Sequence, residues 1–105
     1  MGQASRPRPA RLAEKLLHIR TALKLSQNEL IASLGLSEKL TQHRVSEFES
    51  GAREPSLAVL LAYARAANVW LDVLVDDDLD LPAKLPSARK HEGIKRQARN
   101  SRYRN

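Results

Sequence analysis

The sequence predicts an all-α protein built from five short helices. Apolar residues recur at steps of three and four, as on one face of an α-helix. Residue types that begin and end helices stand at the borders of these periodic segments. At 105 residues the chain can bury only one small core, which favours a helical bundle over a large enzyme fold.

The first predicted helix carries one apolar face. Pro9 is suited to its first turn, where a backbone N–H would have no partner. We expect Lys24 and Leu25 to close the helix, although glycine or asparagine is commoner in the left-handed closing position. The apolar face is formed by Leu12, Leu16, Ile19 and Leu23.

The second predicted helix begins at Ser26. Ser26 and Glu29 are three residues apart and predict a capping box, in which each side chain bonds the backbone N–H of the other residue. Gly35 follows the helix at a point where the turn needs a positive φ. The inward stripe is formed by Leu30, Ile31 and Leu34.

The third predicted helix runs from its N-cap Thr41 to Ser50, and Gly51 ends it. Val45 and Phe48 are three residues apart and are expected to face the core. Residues 36–40, with the sequence LSEKL, make the preceding connection longer than the usual turn of three or four residues. We expect its two leucines, Leu36 and Leu40, to anchor it to the core.

The fourth predicted helix is capped by Ser56 and closed by Asn68. The fifth is short, with Leu71 and Leu74 turned inward. The apolar stripe of the fourth helix is expected to consist of Leu57, Leu60, Leu61 and Ala64.

Charge divides the chain unevenly. Residues 1–83 contain 10 Lys/Arg and 11 Asp/Glu, whereas residues 84–105 contain 8 Lys/Arg and only Glu92. We expect a flexible basic arm over residues 1–8, a folded domain over 9–76, and an acidic exit followed by a disordered basic tail over 77–105. A basic tail suits a polyanion such as DNA or RNA, but it can also serve only solubility.

Several classes of protein do not fit the sequence. The absence of cysteine excludes a disulfide scaffold and a Cys-based zinc site, and it fits a reducing compartment. No apolar run approaches the roughly 20 residues of a membrane helix, and no signal peptide is recognised. We therefore expect a cytoplasmic protein that has no catalytic activity, cofactor or metal. The acidic cluster is expected to be a solvated turn; it consists of Asp76, Asp77, Asp78 and Asp80.

Two capped helices joined by a turn, with polar side chains at the start of the second, can dock in the major groove of DNA. Gln42 can bond adenine, and Arg44 can bond guanine or a phosphate. His43 can bond a base edge, while Glu47 can accept from cytosine but also repels phosphates. The predicted DNA-binding residues of this region are Thr41, Gln42, His43, Arg44, Ser46, Glu47, Ser50 and Arg53. The alternative is an exposed polar face without a partner.

Basic residues outside this region are further candidates for DNA contact. Arg6 and Arg8 can enter a narrow minor groove, although a terminus with incidental charge is an equal alternative. Basic residues of the tail can add affinity through counterion release without sequence preference. These are Lys90, Lys95, Arg96, Arg99, Arg102 and Arg104.

Residues 12–75 resemble the Cro/repressor-type helix-turn-helix domain, also called the Xre family. The resemblance rests on LSQNELIASLG, VSEFESGAREPSLAVLLAYARAANV and LDVL, in this order. It implies a five-helix bundle and a bacterial or phage transcription regulator that binds double-stranded DNA as a homodimer. The chain departs from the family pattern in the longer loop before Thr41, at Lys24 where glycine is common, and at Trp70 where a small cap is common.

The resemblance also implies roles for single residues. Gln27 is expected to contact a DNA phosphate and to brace the first residue of the third helix. The family often pairs through its C-terminal helices, and Trp70 is a suitable anchor for such an interface. Packing of Trp70 against the first or fourth helix of its own chain is the alternative.

These features favour a sequence-specific DNA-binding transcription regulator, expected to be a repressor. Two other functions remain open. The chain can be the antitoxin of a toxin–antitoxin pair, which regulates its own operator and grips the toxin with its tail. It can also be an RNA-binding or protein-interaction module whose active part is the basic tail.

Overall fold

A computed structural model describes residues 8–86 and confirms the all-α, five-helix fold. The helices are α1 (Leu12–Ala22), α2 (Gln27–Ser33), α3 (Gln42–Ser50), α4 (Leu57–Ala67) and α5 (Leu71–Val75). No strand occurs within residues 8–86. Most of the predicted N-terminal arm and of the predicted basic tail lies outside the described part, in residues 1–7 and 87–105.

Helix α1 is the common partner of the bundle, since it packs against α3, α4 and α5. Helix α2 packs on α3, and α4 packs on α5. Each of the five helices contributes at least one side chain to a single apolar core, as expected for amphipathic helices. The most deeply buried side chains are Leu16, Ile19, Leu30, Val45, Tyr63 and Leu74.

The predicted N-terminal caps of α2, α3 and α4 are confirmed. Ser26 Oγ accepts from Glu29 N at 3.0 Å, and Ser26 N donates to Glu29 Oε1 at 2.8 Å, which completes the capping box. Thr41 and Ser56 cap α3 and α4 through their hydroxyl groups. Within residues 8–86, four residues have the positive φ that reverses a chain after a helix: Lys24, Gly35, Gly51 and Asn68.

Two predicted details are wrong. Helix α1 begins at Leu12, so Pro9 precedes it and is not part of its first turn. Leu57 is 69% exposed, and Leu61 is only half-buried. Helix α4 instead faces the core with a stripe that repeats at steps of three and four from the middle of the helix: Leu60, Tyr63, Ala64 and Ala67.

The chain that follows α5 is attached to the start of α1. Asp77 Oδ2 and Oδ1 accept from the backbone N–H groups of Ala10 and Arg11, at 2.8 and 3.0 Å. These two hydrogen bonds lower the pKa of Asp77. Arg11 donates to the carbonyl of Asp77 at 2.8 Å and to Asp80 Oδ1 at 2.6 Å. The acidic cluster is therefore not simply a solvated turn, because its second and last aspartates hold the N-terminal end of α1.

Lys15 completes this attachment. It is 2% exposed, and its ammonium group donates to the carbonyls of Val73, Asp76 and Leu79 at 2.8, 3.0 and 2.7 Å. These carbonyls lie in and beyond the last turn of α5, where backbone oxygens have no partner within the helix. One buried cation on α1 therefore ties down both α5 and the segment that leaves it. Leu81 and Leu85 also pack against the core.

Candidate nucleic-acid interface

Helix α3 has one buried face and one open face. Val45 and Phe48 are buried, whereas Gln42, His43 and Ser46 are exposed. Thr41 fixes the start of the helix by accepting from Arg44 N at 3.2 Å. The open face is therefore formed by polar side chains on a helix whose orientation is set by its own cap and core contacts.

Glu47 is the centre of a charged cluster on this helix. Its Oε1 lies 3.5 Å from Arg44 Nε and 3.3 Å from Arg53 Nε, and its Oε2 lies 3.6 Å from His43 Nε2. The structure thus brings together four of the residues that the sequence predicts to bind DNA. A single carboxylate faces two permanent cations and one histidine.

The turn after α3 places Arg53 in this cluster. Gly51 has φ +85°, which reverses the chain at the helix end. The carbonyl of Glu47 then accepts from Ala52 N at 3.0 Å, from Arg53 N at 3.3 Å and from Ser50 Oγ at 3.1 Å. These hydrogen bonds fold the turn back onto α3. The side chain of Arg53 therefore reaches the carboxylate of Glu47.

A second polar network joins α1, α2 and α3. Arg20 Nε and Nη2 donate to Glu49 Oε2 and Oε1 at 2.7 and 3.1 Å, and Arg20 Nη1 donates to the carbonyl of Leu25 at 2.9 Å. Gln27 Nε2 donates to Glu49 Oε1 at 3.1 Å. The hydrogen bonds to Glu49 raise the pKa of Arg20, so the guanidinium stays charged.

This network corrects one prediction. Gln27 contacts Glu49 near the end of α3, and not the first residue of that helix. Glu49 also pairs with Arg20, which lies 29 positions away in the sequence. Arg20 was missed altogether. The available signal was weak. Arg20 and Glu49 each directly follow a core residue, Ile19 and Phe48, so both charges lie at the edge of the buried face of their helix.

The long connection between α2 and α3 forms one wall of a groove of about 500 Å³. Leu40 packs against the core as predicted, and the backbone N–H of Leu40 donates to the carbonyl of Leu36 at 2.9 Å. The opposite wall comes from α3, the following turn and the start of α4. The connection therefore forms part of the surface beside Arg44, and Val45 and Phe48 of α3 face the core as predicted.

Other kinds of site find no support in the described part of the chain. Among residues 8–86, no three histidine, cysteine or acidic side chains are grouped so that they can hold a metal ion. None of the helices in this range has the length and apolar character required to cross a membrane.

The profile of the helix-turn-helix family matches residues 16–74, which is more than half of the chain. These residues include the capped α2, the turn at Gly35 and all of α3 and α4. The chain belongs to the helix-turn-helix family of the Cro/C1 type, which is Xre-like. The family domain binds DNA and regulates transcription, and it is not an enzyme family. Comparisons with curated proteins and with solved structures gave no match.

Proposed function

We propose that this protein is a cytoplasmic, sequence-specific transcription regulator, and that it represses its target by placing α3 in the major groove. The observation that carries this proposal is the division of α3 into a buried apolar face and an open polar face. Val45 and Phe48 hold the helix on the bundle, so that Gln42, His43 and Ser46 are available to base edges. A helix of this kind fits the width of the major groove.

Within this proposal, Gln42 is the principal reader of sequence. It is the first residue of α3 and is exposed, and a glutamine can bond adenine N6 and N7 together. Arg44 is suited to guanine or to a phosphate. His43, Ser46 and Glu47 complete the set of side chains that can meet bases from the same helix.

Other residues serve as contacts to the DNA backbone. The turn after α3 brings Arg53 to the same carboxylate as Arg44, and Ser50 is the last residue of α3. Thr41 is exposed at the start of α3, and Gln27 stands at the start of α2 with its amide already oriented by Glu49. Contacts of this type set the orientation of a protein on the duplex without reading its sequence.

We also propose a homodimer that pairs through α5. Trp70 is 81% exposed, which overturns the alternative that it packs inside its own chain. It stands at the N-cap of α5, next to the half-buried Leu71 and Val73. Two copies would read half-sites about 34 Å apart and would double the number of base pairs that are read.

Sedimentation at micromolar concentration, with and without DNA, tests the dimer. We expect the parent protein to form a dimer and Trp70→Ala to weaken it. The matched control is Leu57→Ala, which shortens another exposed apolar side chain, on α4. A dimer that Trp70→Ala leaves intact would remove Trp70 from the interface, and a protein that binds each site as a monomer would contradict the dimer itself.

Selection from random duplex DNA tests the function. We expect an enriched sequence with two related half-sites, in line with a symmetric dimer. An unenriched pool, bound with strong salt dependence, would indicate a non-specific binder and would contradict the proposed regulator.

The charge of the C-terminal region favours a second function, that of an antitoxin whose tail binds an acidic protein. Residues 84–105 contain 8 Lys/Arg and one glutamate. Deletion of residues 87–105 separates the possibilities. A regulator keeps its site preference, an antitoxin keeps it but loses the protein partner, and a tail-driven RNA binder loses nearly all binding.

A further inference from the structure

We propose that Glu47 is a specificity filter, because its carboxylate holds Arg44 and Arg53 away from DNA that lacks the correct base. This inference rests on the proposed reading of the major groove by α3. It goes beyond that proposal in assigning a carboxylate, and not only the cations, a part in rejecting wrong sequences. Without such a role, an acidic side chain is unfavourable on a surface that binds phosphates, because the two negative charges repel each other.

The geometry of the cluster supports the proposal. Arg44 Nε and Arg53 Nε lie 3.5 and 3.3 Å from the same oxygen, Glu47 Oε1. The side chains of Arg44 and Arg53 are 41% and 52% exposed, whereas that of Glu47 is 25% exposed. The carboxylate is therefore less exposed than the two cations with which it pairs. In the free protein its single negative charge offsets one of their two positive charges.

The strength of these pairs is suited to a filter. Ion pairs with this exposure change an equilibrium constant by up to about fivefold each. Phosphates can therefore draw the arginines away, but the resulting affinity is lower than unpaired arginines would give. If the arginines leave, the carboxylate of Glu47 loses both permanent cations and repels the DNA backbone.

The correct base removes this disadvantage. The N4 amino group of cytosine can donate to a carboxylate in the major groove. With cytosine at the facing position, Glu47 exchanges the arginines for the base, and Arg44 and Arg53 become free for guanine or phosphate. With another base there is no such exchange. Glu47 thereby couples the two cations to a single base pair.

The test compares Glu47→Gln with Glu14→Gln. Both changes remove one negative charge, but Glu14 lies in the first turn of α1, where it pairs with Arg11 at 3.6 Å. We expect Glu47→Gln to tighten binding to random duplex DNA by about three- to tenfold. The slope of log affinity against log salt should steepen by up to about 0.9 for each additional phosphate that the freed arginines neutralise. On selection, the preference for cytosine should relax or move to adenine, which glutamine favours.

Equal effects of the two substitutions would overturn the proposal, because they would reduce it to net charge. The variant Arg53→Gln provides a second test. If Glu47 acts through the arginines, its substitution should tighten random binding less in the Arg53→Gln background. An undiminished effect would mean that Glu47 only repels phosphates, which also contradicts the filter.

Failure of the underlying function gives a different result. In that case the parent protein itself enriches no sequence from random DNA. A parent that enriches a site, together with a Glu47→Gln variant that keeps the parent's cytosine preference and random-DNA affinity, contradicts the filter alone.

Discussion

The guanidinium of Arg20 donates two hydrogen bonds, of 2.7 and 3.1 Å, to the carboxylate of Glu49 across the α1–α3 contact. Their side chains are 19% and 7% exposed. Gln27 of α2 donates to the same carboxylate. The helix proposed to read DNA is thus held by a polar network as well as by its apolar face, and this network can fix its angle on the bundle.

Arg20→Met is expected to destabilise the fold by about 3–5 kcal/mol, because it leaves the carboxylate of Glu49 buried without its counter-charge. Urea unfolding followed by circular dichroism measures the loss. The double variant Arg20→Met/Glu49→Leu should regain part of it, since neither charge is then left alone. A double variant with the summed loss of both single variants would show that the two residues act independently.

Lys15→Met is expected to cost about 2–4 kcal/mol, because three carbonyls at and beyond the end of α5 lose a charged donor. Lys39→Met is the control, since Lys39 is exposed and should change stability by less than about 0.5 kcal/mol. Urea unfolding compares the two. Equal stability of Lys15→Met and Lys39→Met would contradict the assigned role of Lys15.

Tyr63→Phe is expected to leave stability unchanged or slightly raised. The side chain of Tyr63 is fully buried, and its hydroxyl has no hydrogen-bond partner within the described residues. Burial, and secondarily the charge of Glu49, raises the pKa of Tyr63. Removal of an unsatisfied buried hydroxyl is nearly neutral when the ring keeps its packing. A loss above about 1 kcal/mol in thermal unfolding would show that the hydroxyl is bonded.

The attachment of Asp77 to the start of α1 is expected to be lost at acidic pH. Hydrogen bonds from Ala10 and Arg11 lower the pKa of Asp77 below its usual value of 3.8. The contribution of Asp77 to stability is therefore complete above pH 3.8 and is lost as the pH falls through the lower folded value.

Amide chemical shifts of Ala10 and Arg11 report this transition. They should titrate with a midpoint below 3.8, and Asp77→Asn should abolish the titration. A midpoint at or above that value would mean that the two backbone hydrogen bonds do not favour the charged carboxylate.

The local features of the fold could be predicted from sequence because neighbouring residues produce them. Ser26 and Glu29 form their capping box within one turn, and Gly51 reverses the chain at the point where its missing side chain permits it. The end of the apolar repeat in α1 also predicts that the chain reverses at Lys24, although lysine is unusual in a left-handed position.

The attachments between distant residues could not be predicted in the same way. Lys15 and Leu79 are 64 positions apart, and nothing in the spacing of α1 shows that a lysine would be buried there. The rotation of α4 that exposes Leu57 and buries Tyr63 also depends on the packed bundle. At the candidate site, the exposed polar residues were predictable from the helix period, but the cluster around Glu47 depends on how the turn after Gly51 folds back.

The reading of bases by α3 is tested most directly by the ratio of affinities for the selected duplex and a scrambled duplex at one salt concentration. We expect a ratio of at least about 10³ for the parent protein. Gln42→Ala should reduce it about five- to 150-fold, which corresponds to about 1–3 kcal/mol, while the control Ser33→Ala, at an exposed position of α2, should leave it unchanged. A parent that binds both duplexes equally, or a Gln42→Ala variant that weakens both to the same extent, would contradict this role of α3.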